Sequence, residues 1–159
     1  MKRILFSLGL VGLVMSVMAI DPRLGSVSPS GFQAGTEVQM TFSGSRLDDA
    51  EEILFYKKGF EVLAIEEKKA ASVRVKVRVA ADCPLGEHPV RVRTKGGVTE
   101  VKTFYVGPFP VVARVKPKAD EPHQKLPLNS TVASSVPNES QELFTVDAKK
   151  GQRLSAEIE

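Results

Sequence analysis

The chain has 159 residues, enough for one full domain and part of a second. With 42% hydrophobic and 26% charged residues it has the composition of a globular protein, which excludes wholesale disorder as the starting point. Its 22 Lys+Arg against 19 Asp+Glu give +3, but Lys2 and Arg3 lie in a segment read below as removed, and 20 − 19 leaves +1. So slight a positive balance gives no reason to expect a nucleic-acid partner.

Residues 1–19 read as a secretion signal. Lys2-Arg3 supplies the positive start, residues 4–17 the apolar run, and Val17-Met18-Ala19 the small residues of a cleavage site, with the cut after Ala19. The competing reading is a retained anchor, because the run approaches the roughly 18 residues of a spanning helix. No cysteine follows the run, which argues against a lipid anchor, and no other stretch is apolar enough to span a bilayer. The expected location is secreted, periplasmic or cell surface, with no membrane span once the signal is cleaved. Cys83 is the only cysteine, so no intrachain disulfide can form and the domain must rely on its hydrophobic core. Cys83 precedes Pro84 in a turn, and as a nucleophile it would need His88 or His123 beside it.

From residue 21 the chain opens as an extended lead-in punctuated by Pro22, Pro29 and Gly31. A strand follows in which Val38, Met40 and Phe42 alternate with Glu37, Gln39 and Thr41, and Gly44 ends it. Residues 47–72 are ambiguous. Asp48, Asp49, Glu51 and Glu52 ahead of Ile53 could open a short helix. Ile53 and Phe55, then Phe60, Val62 and Ala64, fit short strands about a turn near Gly59, and among strands the β reading is preferred. Residues 66–69 read as a charged turn.

Residues 72–107 give the clearest pattern. Val73, Val75, Val77 and Val79 alternate with Arg74, Lys76 and Arg78, the signature of a strand with one buried and one wet face. After a turn at Asp82, Pro84 and Gly86, Val90 and Val92 alternate with Arg91 and Arg93. Gly96-Gly97 then leads into a third run, Val98, Glu100, Lys102 and Phe104. Three such runs joined by turns predict an antiparallel meander whose apolar face needs a covering sheet. Val38, Met40 and Phe42 are expected to supply that cover from the opposite side.

These residues carry a resemblance. Val27-Ser28-Pro29-Ser30-Gly31, Gly35-Thr36-Glu37-Val38 and Phe42-Ser43-Gly44-Ser45-Arg46-Leu47 resemble the opening of an IPT/TIG-type immunoglobulin-like domain. Asp82-Cys83-Pro84-Leu85-Gly86, Val90-Arg91-Val92, and Gly97 followed by Phe104 resemble its closing strands. The likeness covers residues 21–107 and implies an immunoglobulin-like β-sandwich, in which Gly and Pro set the corners.

Residues 108–126 form a Pro-rich linker with Pro108, Pro110, Pro117 and Pro122 among charges, although Val111, Val112 and Val115 could pair with a neighbouring sheet. Residues 127–159 begin a second β module. Leu128, Val132 and Val136 suggest one strand, residues 143–148 another, and Leu154, Ala156 and Ile158 a third. Phe144-Thr145-Val146 with Lys149-Lys150-Gly151-Gln152-Arg153-Leu154 resembles the start of the bacterial pre-peptidase C-terminal (PPC) domain. Ser140-Gln141-Glu142 stands where that family often has Asp-x-Asp, which puts any ion bound there in doubt. A sandwich needs about seven strands, so this is expected to be the N-terminal part of a truncated one. The overall fold class is all-β: an immunoglobulin-like sandwich, a linker and a partial second sandwich.

Candidate site residues are few. Arg74, Lys76, Arg78, Arg91, Arg93 and Lys102 form an expected basic stripe on the outward face of the meander. It fits a solvated face that resists edge pairing, or as a site an anionic partner such as an acidic polysaccharide or a membrane surface. Clustered Asp48, Asp49, Glu51 and Glu52 lack the spacing of a calcium loop, and His88 and His123 are too few for zinc. Asn129-Ser130-Thr131 and Asn138-Glu139-Ser140 match the glycosylation pattern, which is common by chance. No G-x-S-x-G, H-E-x-x-H, phosphate loop or C-x-x-C pair occurs, so no catalytic residue, metal or cofactor is assigned.

The expectation is a non-catalytic exported binding or spacer protein. Its partner would be an extracellular protein or polysaccharide, with no nucleic acid. The alternative, implied by the PPC resemblance, is an accessory region of an exported hydrolase, most plausibly a peptidase, whose catalytic domain lies beyond residue 159.

Overall fold

The computed structural model describes residues 21–115, 123–134, 138 and 141–158. Residues 1–19, expected to be a secretion signal, residues 116–122 of the expected linker, Val136 and Glu159 lie outside them. All thirteen elements among the described residues are strands. The β reading of the ambiguous stretch holds: Ala50–Phe55 and Phe60–Lys69 are both strands, and the second absorbs residues 66–69, which turn nothing. The turn falls instead at Ala70-Ala71.

Two sheets face each other. The first contains β1 (Arg23–Ser28), β3 (Glu37–Ser45), β6 (Ser72–Val79) and β5 (Phe60–Lys69) in the order β1-β3-β6-β5, antiparallel throughout. The second has the order β2-β9-β7-β4, built from β2 (Gly31–Gln33), β9 (Lys102–Gly107), β7 (Gly86–Thr94) and β4 (Ala50–Phe55). In it β8 (Gly97–Val98) pairs with β7, and β2 lies parallel to β9. The lead-in is thus split between the sheets, crossing at the cis Ser28–Pro29 peptide.

The predicted meander is half formed: the second and third runs, β7 and β9, do pair antiparallel, but the first does not join them. β6 belongs to the first sheet and β7 to the second. The reason is saturation: both edges of β6 are already paired, with β3 and β5, so the next strand cannot join it. The chain instead crosses over through residues 80–85. The valines of β6 and β7 therefore look at each other across the interior. Val38, Met40 and Phe42 are not a cover from the far side. They lie beside the β6 valines, in register with Val77, Val75 and Val73.

The core is one cluster: Met40, Phe42, Val73, Val75 and Val77 from the first sheet against Phe32, Ile53, Val90, Val92, Phe104 and Val106 from the second. Aromatic rings tie the sheets together at one end. Phe60 on β5 lies 5.4 Å edge-on from Phe104 and 4.7 Å stacked on Phe55. The crossover is pinned by the Ala80 amide donating to the Gly59 carbonyl at 2.8 Å. Gly59 has φ 106°, and a Cβ there would meet the Cys83 Sγ at 2.8 Å, so the approach requires glycine.

The third alternating run is also interrupted. Residues 99–101 leave the strand, Thr99 is buried, and its hydroxyl accepts from the Val92 amide at 3.0 Å. Pairing resumes only at Lys102. The edge strands β1, β4 and β5 each carry a register shift, β5 two of them. Such bulges twist an edge away from further pairing.

Beyond residue 107, β10 (Val111–Val112) pairs in parallel with β12 (Thr131–Val132), and β11 (His123–Leu126) in parallel with β13 (Leu143–Val146). Val111 and Val112 thus pair, though with β12 in a separate two-stranded sheet, and Val115 lies outside any strand. Linker residues 123–126 are strand rather than irregular chain. The strand expected at Leu154, Ala156 and Ile158 is absent among the described residues, and Leu154 and Ile158 are exposed.

Phe42 is fully buried and central, so Phe42→Ala should cost about 3–5 kcal/mol in urea unfolding. Val98, 43% exposed on the short β8, should lose no more than about 0.5 kcal/mol on the same change.

Candidate functional site

The structure distributes the six predicted basic residues over three places. Arg74, Lys76 and Arg78 point outward from β6 on the first sheet. Arg91 and Arg93 occupy outward positions of β7 on the second sheet, the opposite side of the sandwich. Lys102 is half-buried and shares neither face. It is in register with buried Val90, in the inward phase of Phe104, which is paired with His88. The single stripe does not exist, because it depended on a meander that would have held all these residues in one sheet.

On the first sheet the cations are matched by carboxylates on neighbouring strands. Glu37 and Glu61 are both in register with Arg78, from the two sides. Arg78 reaches Glu37 at 3.0 Å and Glu61 at 2.8 Å, Lys76 reaches Glu37 at 2.8 Å, and Arg74 reaches Glu67 at 3.3 Å. Hydrogen bonds from Lys76 and then Arg78 hold the Glu37 carboxyl below its ordinary range, and Lys69 does the same for Glu67. Glu37 in turn raises the Arg78 guanidinium. These pairs are exposed and individually weak, but they are cross-strand neighbours, directly opposite except for the diagonal Lys76–Glu37, and favour this register over a slipped one.

The second sheet differs. Arg93 is held by Glu51 at 2.8 Å and Glu52 at 3.0 Å, which accounts for half of the acidic cluster. Arg91 has no carboxylate partner among the described residues. Its guanidinium lies 6.0 Å from the centre of the Tyr56 ring, and its Nε is buried with no hydrogen-bond partner. Tyr56 is 58% exposed. Strand geometry places the pair together. Phe55 is in register with Val90 and turns inward, so the next residue faces out, and the Tyr56 amide contacts the Pro89 carbonyl at 3.4 Å. Beside them the Lys57 ammonium donates to the Glu87 carbonyl at 2.7 Å. Alternation from Ile53 and Phe55 would have indicated an outward Tyr56.

The reactive side chains are sealed off. Cys83 is buried, and desolvation, reinforced by Asp82, pushes its thiol up. His88 is 1% exposed, with Nε2 at 2.6 Å from the Pro84 carbonyl and its ring stacked on Phe104 and edge-on to Phe60. His123 sits on exposed β11. Among the described residues no three His, Cys, Asp or Glu side chains converge as a metal site, and no helix is long and apolar enough to cross a membrane.

His88 does set a pH dependence. The interior pushes its pKa below the ordinary 6.5, partly opposed by the Pro84 carbonyl, with Lys57 adding to the depression. Its Nδ1 is buried without a partner, so an imidazolium there would carry an unsatisfied donor. The unfolded chain then takes the proton first. Stability is fully present above the unfolded value of about 6.5 and is lost as pH falls through it toward the folded value. Thermal melts between pH 7.5 and 5 should show a falling Tm, and His88→Gln should flatten that slope.

The family model of quinohemoprotein amine dehydrogenase, alpha subunit domain III, matches residues 21–106. No curated protein matches the chain. A solved structure from Bacteroides ovatus, SGBP-B of the mixed-linkage glucan utilization locus in complex with a mixed-linkage heptasaccharide, is similar with TM-score 0.43 and 13% identity. That similarity covers 67% of this chain and 26% of the other, so the chain spans about a quarter of that protein. The family match takes in both facing sheets and more than half of the sequence, and on it the chain belongs to the quinohemoprotein amine dehydrogenase alpha subunit domain III family.

Proposed function

We propose that the chain is a non-catalytic binding and spacer module of an exported protein, acting by adhesion, protein contact or polymer binding outside the cytoplasm. The observation that carries this reading is the disposition of its reactive groups. Cys83 and His88 are enclosed in the core, and Glu37, Glu51, Glu52, Glu61 and Glu67 are engaged with Lys or Arg. General acid–base or nucleophilic chemistry needs such groups accessible to a substrate.

In this reading residues 1–19 direct export and the sandwich of residues 21–107, IPT/TIG-like in its turn motifs, supplies the contact surface. Residues 108–126 act as a spacer, and residues 127–159 open a PPC-like second module. A second reading, an accessory region within a larger exported enzyme, is favoured by one observation: the matching family is named for one domain of an enzyme subunit. Both readings leave this chain itself without turnover.

The test is retention of the purified chain on insoluble polysaccharides and on intact bacterial surfaces, with released sugar and peptide followed in the same tubes. The reading predicts retention with no product. Product release that disappears in a folded His88→Gln or Cys83→Ala variant would contradict it.

A further inference from the structure

The outward cations of β6 and β7 all hold carboxylates except one. Arg74, Lys76, Arg78 and Arg93 are each ion-paired, whereas Arg91 rests on Tyr56. A guanidinium has a rigid fork of donors suited to a carboxylate, and with Nε buried under the protein surface it is the outer nitrogens of Arg91 that remain for a ligand. The aromatic ring beneath it holds the fork in place on the sheet face rather than leaving it free in solvent. Lys57 follows Tyr56 directly, and its ammonium is fixed on a backbone carbonyl, which leaves its charge uncompensated. An exposed ring in contact with one unpaired guanidinium, and next in sequence to a lysine without an ion pair among the described residues, thus stands on the second sheet, while the cations of β6 on the first sheet all share carboxylates.

Resting on the binding-module reading above, we propose that Tyr56, Lys57 and Arg91 form a subsite for an acidic polysaccharide. The apolar C–H face of a pyranose would lie on the exposed part of the Tyr56 ring, and its carboxylate would engage Arg91 and Lys57. The chemistry selects this occupant. A neutral glycan would use the ring but leave both cations unanswered, and a peptide would find no apolar groove for its side chains on an open sheet face. A single-stranded nucleic acid binds through successive stacked rings along a basic channel, whereas Arg93 next along β7 is already neutralised by Glu51 and Glu52.

Affinity electrophoresis of the full chain through gels containing polygalacturonate tests this, with fully methyl-esterified polygalacturonate as the neutral counterpart. The expected result is retardation by the acid form only, weakening as salt is raised. Tyr56→Ala and Arg91→Gln should each weaken it about tenfold or more, and Arg93→Gln should leave it within about twofold. All three variants are to be checked by circular dichroism for an unchanged fold. Equal retardation by the methyl ester, an equal loss in Arg93→Gln, or preferential binding of single-stranded DNA or anionic vesicles would each overturn the subsite. No retardation by polygalacturonate would overturn it as well, while retention on other polymers or surfaces would leave the module reading standing. Product release in the retention assay that disappears in the folded His88→Gln or Cys83→Ala variant would instead sink that reading.

Discussion

A strand in the middle of a sheet has two edges and no more. β6 spends both, on β3 and β5, and the rest of the molecule follows from that. Its valines are buried on one side only, so the apolar row can be covered only by a second layer. The chain supplies that layer with the next strand it makes. Residues 80–85 carry it over to the second sheet, and Val90 and Val92 join Val75 and Val77 in one cluster from the facing layer rather than from beside them. Burying a valine is worth roughly 1.5–3 kcal/mol relative to leaving it exposed, so a row of them on each facing strand dominates smaller terms such as the surface ion pairs. The aromatic cluster of Phe55, Phe60, Phe104 and His88 closes one end of the same interior.

The same arrangement decides what the surface can do. Placing β3, β6 and β5 side by side sets Glu37 and Glu61 on either side of Arg78, and the outer face of that sheet becomes a lattice of matched charges. The other sheet inherits Arg91 and Arg93 on one strand but neutralises only Arg93. The asymmetry arises from neighbours. Arg93 is opposite Glu52, whereas Arg91 is opposite Leu54 and beside an outward tyrosine. Two residues along β4 thus separate a structural ion pair from an aromatic–cation site.

Faces were legible in the sequence and partners were not. Period-two alternation assigned the inner side of β6 and β7 correctly, because side-chain direction is a local property of an extended chain. Which sheet a strand joins is a non-local matter of edges already taken, and alternation is silent on it. Hence the β6–β7 half of the meander and the single basic stripe, both built on adjacency in the chain, failed together, while the β7–β9 pairing held. Lys102 failed for a different reason. It has the parity of Phe104, so the pattern itself put it on the inner side, and grouping it by charge overrode that. Tyr56 was recoverable by the same parity from Phe55. The break at Thr99 was not, since it rests on a hydroxyl satisfying the Val92 amide seven residues away. The strand anticipated at residues 154–158 lacked a neighbour to pair with among the described residues, and apolar alternation without a partner strand makes no sheet.

The central claim is that the valines of β6 and β7 close one shared interior from two sheets. Native-state amide hydrogen exchange measures this directly. The account predicts that the slowest amides, those of Met40, Val75 and Val77 in the first sheet and Val90 and Val92 in the second, exchange with one common free energy equal to that of global unfolding. If the slow amides were confined to one sheet while the other opened independently at much lower cost, the two layers would not share a core, and the account would be contradicted.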